Sequence, residues 1–234
     1  MTQLYDEVRS VLRSAPIRKR LKWLIGNDFT GYEKWLQHEL TYAMCQAGHD
    51  VVMEDGIKTN AVKTIKKRMA CDMAIRLKNE TKDVFRAIEL KVARGQTSAL
   101  NRSLNDLVKL TKVKSSAWEY RSVTAMAVVN TKAEGSYTEF WKALKKNDKS
   151  HWFFEEMPIG IKGTAIYWFQ WTTSPGKVNH NEYKKFVQFV RDTAVEHKFI
   201  TVENRNKLHT PQQIEKKLTA KALKLLNDKV NGKR

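Results

Sequence analysis

The sequence predicts an α/β protein in which a mixed sheet is flanked by helices, and three patterns lead to that prediction. Apolar residues recur at helical spacing from 31 to 48, where Gly48 takes the place of a C-terminal cap. The apolar runs MACDMAIRL and VFRAIELKV are joined by a short polar turn, which is typical of a β-hairpin. A leucine-rich helical pattern from 97 to 114 then leads to SVTAMAVVN, which has the composition of a buried strand.

The remaining elements extend this architecture at both ends. A helical pattern from 4 to 25 is interrupted before Pro16, and the short strand HDVVMED connects the first core helix to the hairpin. Further along, the patterns predict a helix over SYTEFWKALKKN, a strand over GTAIYWFQW and two C-terminal helices. We therefore expect an N-terminal helical extension over 1–30, a core over 31–175 and a basic helical C-terminal region over 176–234.

The charge of the chain favours a polyanionic partner. Lysine and arginine total 43 against 25 acidic residues, which gives a formal net charge of +18. Such an excess is typical of proteins that bind nucleic acid or an anionic surface. Basic residues concentrate between Lys58 and Arg68 and again between Lys216 and Arg234. A structural protein that binds DNA or RNA without catalysis would have the same composition, so that alternative stays open.

The sequence does not have the features of a membrane protein or a disulfide scaffold. The N-terminus lacks an apolar segment of signal-peptide length, and no run approaches the roughly 20 apolar residues of a membrane span. Cys45 and Cys71 lack the spacing of a zinc site. We expect a cytoplasmic protein with no membrane partner, and the sequence leaves a homo-oligomer open.

The hairpin places two acidic residues opposite each other on an otherwise apolar sheet. The midpoint between Asp72 and Glu89 falls inside the turn, so their Cβ atoms should lie roughly 5 Å apart. Lys91 follows on the same face of its strand. Charges on an apolar sheet cost desolvation energy, and a hard divalent cation such as Mg²⁺ would compensate the two carboxylates. A structural ion pair with Lys91 or Arg76 is the alternative, although burying it would need good geometry to break even.

One Glu-x-Lys triplet differs from the others in its position along the chain. The triplet occurs five times, but only Glu89 to Lys91 lies in an apolar strand with an aspartate opposite. In this context the chain resembles the PD-(D/E)xK, or restriction-endonuclease-like, nuclease superfamily. Its core of a helix, a three-stranded meander, a helix and a further strand corresponds to residues 31–130. The proline in the family's name is absent, since Cys71 precedes Asp72.

The resemblance implies roles for the hairpin residues. Asp72 and Glu89, with the carbonyl of Leu90, would hold Mg²⁺, for which Mn²⁺ would substitute. Lys91 would orient or deprotonate the attacking water, or neutralise charge on the phosphate.

Two helices would supply the rest of the site. The segment EKWLQ matches the Glu-x-x-x-Gln that many members carry on the first core helix. The match implies that Glu33 completes the metal shell or supports a second ion, with Gln37 in support. Glu39 is the competing glutamate, but it lies farther from the centre of the apolar stripe. Asp106 and Lys109 resemble the polar pair that many members carry on the helix after the motif.

These observations predict a Mg²⁺-dependent nuclease, with an endodeoxyribonuclease favoured and DNA preferred to RNA. Phage DNA processing, mobile elements, defence, recombination and repair would all suit such an enzyme. A catalytically inactive nucleic-acid-binding module on the same fold is the main alternative. Substrate phosphates are expected to contact Lys63, Lys66, Lys67, Arg68 and Lys109. Tryptophans that could stack on bases, although core packing is expected for most, are Trp118, Trp141, Trp152, Trp168 and Trp171.

Overall fold

All the strands described in the computed structural model belong to one six-stranded mixed sheet, with the order β1-β2-β3-β4-β6-β5. The structure describes residues 3–27, 29, 31–57, 69–80, 85–110, 120–131, 138–147, 151–172 and 180–197. The helices are α1 (Gln3–Arg13), α2 (Ala15–Gly26), α3 (Glu33–Gln46), α4 (Gln96–Leu110), α5 (Thr138–Lys146) and α6 (His180–Glu196). The strands are β1 (Asp50–Ile57), β2 (Met69–Arg76), β3 (Phe85–Gly95), β4 (Tyr120–Thr131), β5 (Trp152–Met157) and β6 (Ala165–Thr172).

The first three strands form the predicted antiparallel meander. In the β2–β3 ladder Met73 pairs with Ile88 and Ile75 with Arg86, which is the register that the midpoint of the turn predicts. After α4 the chain returns in β4, which runs parallel to β3. Helix, meander, helix and parallel strand therefore follow one another as expected. The predicted fold class is confirmed at this level: an α/β protein with a mixed sheet flanked by helices.

Helices cover both faces of the sheet. Ile88 and Leu90 of β3 join a core cluster with Leu4 of α1, Leu21 of α2 and Leu36 of α3. Since side chains alternate along a strand, Glu89 and Lys91 point to the opposite face, which packs against α4. The helices of the predicted N-terminal extension thus share a core with the sheet.

Three local predictions differ from the structure or fall outside it. β5 was not predicted, because WFFEEM is short and its two glutamates interrupt the apolar pattern of a buried strand. The basic loop was expected to begin at Gly56, but β1 continues to Ile57. The rest of that loop and the helix expected after Pro211 lie outside the described residues.

The other helical predictions are confirmed. The break before Pro16 separates α1 from α2, and Pro16 lies in the first turn of α2, where its missing N–H has no partner to lose. Gly48 adopts a φ of 87° directly after α3, which allows the chain to reverse into β1. No helix in the described part of the chain is long and apolar enough to cross a membrane.

Candidate functional site

Three acidic side chains converge on the ammonium group of Lys91, on the sheet face that packs against α4. Lys91 Nζ lies 3.2 Å from Glu33 Oε1, 3.4 Å from Asp72 Oδ2 and 3.3 Å from Asp106 Oδ2. The ammonium also donates a 2.7 Å hydrogen bond to the carbonyl of Leu90. The structure therefore brings together residues of β2, β3, α3 and α4 around one cation.

Asp72 lies where β2 and β3 begin to separate. One step beyond the Met73–Ile88 pair, Asp72 Oδ2 accepts a 2.7 Å hydrogen bond from the Leu90 main-chain N–H. The side-chain amide of Gln37, which is buried in α3, donates to the main-chain carbonyl of Asp72. Both the carboxylate and the main chain of Asp72 are thus held in place, the main chain by Gln37.

Glu33 reaches the cluster from the first turn of α3. While Oε1 faces Lys91, Oε2 accepts a 3.2 Å hydrogen bond from the Val92 main-chain N–H. A carboxylate at this end of a helix is also favoured by the helix dipole. Glu39, the competing glutamate, instead forms an ion pair with Arg20 of α2. Of the two glutamates, the structure places Glu33 in the cluster.

Glu89 is the most deeply buried acid of the site. Its side chain is 3% exposed, and its Oε1 lies 3.5 Å from Lys109 Nζ. Burial raises the pKa of Glu89 to about 8, helped by the negative charges of Asp106 and Asp72 and only partly opposed by Lys109 and Lys91. The Glu89 carboxyl is therefore mostly protonated at pH 7 in the metal-free protein.

Lys91 remains charged in the same environment. Burial by itself would lower its pKa, but the attraction of Asp106, Asp72, Glu33 and Glu89 outweighs burial and raises the pKa overall. A charged ammonium has no lone pair with which to accept a proton. Of the roles that the resemblance implies for Lys91, orienting a water and stabilising negative charge agree with this state better than proton abstraction does.

The donor atoms of the site suit Mg²⁺. Carboxylates of Glu33, Asp72 and Glu89 and the carbonyl of Leu90 are hard oxygen ligands. Within the described ranges, no three His, Cys, Asp or Glu side chains stand in a geometry ready to hold a metal ion. Lys91 Nζ itself lies within 3.4 Å of carboxylate oxygens of Glu33, Asp72 and Asp106.

Two residues near the acids could not be identified as part of the site from the sequence. Tyr183 of α6 is fully buried and donates a 2.8 Å hydrogen bond to the carbonyl of Leu107 in α4. Burial raises the pKa of Tyr183 well above its ordinary value, and the charges of Glu89 and Asp106 add to this effect. Arg102 of α4 donates a 2.9 Å hydrogen bond to the carbonyl of Val92. Both residues fix α4 in a position where its polar pair faces β3.

Only some of the residues that are predicted to contact nucleic acid lie in the described part of the chain. Lys109 is one-third exposed and pairs with Glu89, so it lies at the rim of the acidic cluster. Trp118 and the basic-loop residues Lys63, Lys66, Lys67 and Arg68 lie outside the described residues. The expectation of core packing is confirmed for four tryptophans, which are buried: Trp141, Trp152, Trp168 and Trp171.

Comparisons with known proteins add no relative to this description. No family model, curated protein or solved structure matches the chain. The resemblance to the PD-(D/E)xK superfamily therefore depends on the residues of the hairpin and on the geometry of the cluster.

We predict that Glu89→Gln stabilises the metal-free protein, and does so more strongly at higher pH. The carboxyl has a pKa of about 8 when folded, against an ordinary value of 4.5, so the folded state binds a proton that the unfolded state releases. The stability conferred by that proton is complete below pH 4.5 and is lost as the pH rises to about 8. In EDTA, Glu89→Gln should raise the melting temperature by about 5 °C or more at pH 8 and by much less at pH 5.

The matched control for this prediction is Glu139→Gln, which neutralises a glutamate that is 71% exposed on α5. It should leave the melting temperature nearly unchanged at both pH values. A stabilisation by Glu89→Gln that is equal at pH 5 and pH 8 would contradict the charge explanation.

Proposed function

We propose that the protein is a Mg²⁺-dependent nuclease that hydrolyses phosphodiester bonds, with an endonuclease acting on DNA favoured. The observation that supports this most directly is the convergence of Asp72, Glu33 and the Leu90 carbonyl on Lys91, with Glu89 on the same face of β3. We also propose a restriction-endonuclease-like fold, because α3, the β1–β3 meander, α4 and the parallel strand β4 follow the order of that superfamily's core.

The charge balance of the cluster argues for a functional ligand rather than a structural ion pair. Four acids surround two lysines, and burial together with its acidic neighbours keeps Glu89 protonated at neutral pH. Even with Glu89 protonated, three acids remain beside two lysines, and a structural ion pair of balanced charge would be less destabilising. A bound divalent cation would neutralise the surplus. Strongly perturbed carboxyls grouped in this way are typical of catalytic sites.

One side of the acidic cluster is open to solvent, because the side chains of Glu33, Asp72 and Lys91 are 34%, 22% and 19% exposed. Glu89 and Lys91 lie beside Ala125 and Ala127 of β4, two small residues that also point towards α4. Lys109 is partly exposed at the rim of the cluster, where it can approach a phosphate. A partly exposed cluster with a cation at its rim is what a site that binds a phosphodiester requires.

Each residue of the proposed site would have a distinct role in hydrolysis. Asp72, Glu89, Glu33 and the Leu90 carbonyl would hold Mg²⁺, which when bound polarises a phosphate and acidifies a water. Lys91 would then orient the water or a phosphate oxygen and stabilise the negative charge that develops there. Gln37 would keep the main chain of Asp72 in position.

Incubation of the protein with plasmid, linear and single-stranded DNA and with RNA, in Mg²⁺ or EDTA, tests the proposed function. We expect cleavage of DNA that Asp72→Asn reduces by a factor of about 100 or more, because it removes a charge from the metal site. Asp50→Asn is the matched control, since Asp50 pairs with Arg76 at the start of β1. Full activity of folded Asp72→Asn would disprove the site, and binding without cleavage would favour the inactive module.

Lys91→Met should separate metal binding from catalysis. Because Lys91 lies among the acids, its removal should strengthen Mg²⁺ binding by about tenfold or more, while cleavage is lost. Titration calorimetry with MgCl₂ measures the affinity, and Asp72→Asn should abolish the same heat. If Mg²⁺ binding weakens in Lys91→Met, the ammonium and the metal do not compete for the carboxylates.

Glu33→Gln should reduce DNA cleavage by at least about tenfold, whereas Glu39→Gln should leave it nearly unchanged. Glu33 is held on β3 by the Val92 N–H and by Lys91, whereas Glu39 pairs with the exposed guanidinium of Arg20. Exposed pairs of this kind contribute little to stability. Initial cleavage rates of the two variants under one set of conditions make the comparison, and the reverse order would make Glu39 the ligand.

A further inference from the structure

The outer face of α2 carries charged and aromatic residues that the proposed catalytic site does not use. Lys19, Lys22 and Trp23 follow one another at helical spacing, so they share one face of the helix. All three are exposed, and 60% of the Trp23 surface is accessible to solvent. The inner face of α2 buries Ile17 and Leu21 in the core, which anchors the helix and fixes the direction of its outer face.

The turn after α2 stacks a second aromatic ring on Trp23. Asn27 donates hydrogen bonds to the Trp23 carbonyl from its main chain and its side chain, at 3.1 and 2.7 Å. The Phe29 N–H then donates to the Leu24 carbonyl at 3.0 Å, which brings Phe29 back towards the helix. The ring centroids of Trp23 and Phe29 lie 5.4 Å apart with an angle of 23° between the planes. The aromatic pair is thus held in place with about half of the surface of each residue exposed.

The lysines beside this pair are available to an anionic ligand. In the described part of the chain, neither Lys19 nor Lys22 has an acidic side chain within 4 Å, whereas their neighbour Arg20 pairs with Glu39. Flat aromatic surfaces stack on unpaired bases of any sequence, and adjacent cations neutralise the phosphates between those bases. A base-paired duplex hides the faces of its bases within the stack, so this combination selects single strands.

The position of the pair relative to the catalytic cluster also fits a nucleic-acid strand. Phe29 precedes Glu33 by four residues, so their Cα atoms can be at most about 14 Å apart. Phe29 therefore lies within the length of a few nucleotides of Glu33.

We propose that Lys19, Lys22, Trp23 and Phe29 form a binding surface for the unpaired bases of single-stranded nucleic acid. The link to cleavage rests on the proposed function, but the binding itself needs no catalysis. For this reason the surface can be tested in EDTA, where a nuclease that requires a metal ion is inactive.

The test measures fluorescence anisotropy of two labelled ligands in EDTA: an oligo(dT) of about 12 nucleotides and an abasic deoxyribose-phosphate strand of the same length. Trp23→Ala should weaken binding of oligo(dT) by about tenfold and leave binding of the abasic strand unchanged. Trp23→Phe, which keeps an aromatic ring, should retain most of the affinity. Tyr42→Ala is the control, because Tyr42 is also exposed, at 66%, but lies on α3.

Neutralising the two lysines should have a different effect. Lys19→Gln with Lys22→Gln should weaken binding of both strands and flatten the dependence of log affinity on log salt by up to about 1.4. Equal losses on the two strands for Trp23→Ala, or equal wild-type affinity for them, would overturn the proposal. A change from dimer to monomer in Trp23→Ala by light scattering would also overturn it, since a second copy would then cover the aromatic pair.

The results also separate this surface from the proposed function. Base-dependent binding that Trp23→Ala removes, without cleavage of any substrate in Mg²⁺, would support the surface and reject the nuclease. Cleavage of DNA by a protein that binds oligo(dT) and the abasic strand equally would overturn the surface and leave the nuclease standing.

Discussion

The ammonium group of Lys91 is the point on which the arrangement of the candidate site depends. It is held by acids from three other elements, with Asp72 on β2, Glu33 on α3 and Asp106 on α4. Without that positive charge the carboxylates would repel one another in a poorly solvated space. The cation therefore fixes β2, β3 and the two helices relative to one another, while the carbonyl of Leu90 accepts its hydrogen bond.

The ion pairs of Lys91 neutralise only part of the negative charge of the cluster. Lys91 satisfies the acids it touches, but burial and the charges of Asp106 and Asp72 keep the Glu89 carboxyl protonated at neutral pH. Deprotonation of the buried Glu89 carboxyl costs free energy, and Lys109 and Lys91 offset only part of that cost. A divalent cation would offset more of it than a lysine does, because it carries two positive charges. Under the proposed function, the cluster would therefore serve as a metal site rather than as a structural salt bridge.

The parts of the site that follow local periods could be predicted from the sequence. The hairpin is nearly symmetrical about its turn, so its midpoint gives the β2–β3 register, and the period of two places Glu89 and Lys91 on one face. The helical period places Gln37 one turn after Glu33, and both contact the hairpin.

Contacts that depend on packing between distant elements could not be predicted in this way. Tyr183 approaches the acids from α6, 76 positions along the chain from its acceptor Leu107. The direct ion pair of Asp106 with Lys91 similarly depends on how α4 lies across β3. Exposure of Trp23 is also a tertiary property, because a tryptophan in a helical pattern is more often a core residue. Its stacking on Phe29 depends on the hydrogen bonds of the turn after α2.

The chain between α2 and α3 connects the two proposed functional surfaces. Phe29 completes the aromatic pair, and Glu33, four residues later, holds both Lys91 and the Val92 N–H. A single strand stacked on Trp23 and Phe29 would restrain this connection at the end opposite to Glu33. Under the two proposals, a bound strand would therefore contact the protein at both ends of this connection.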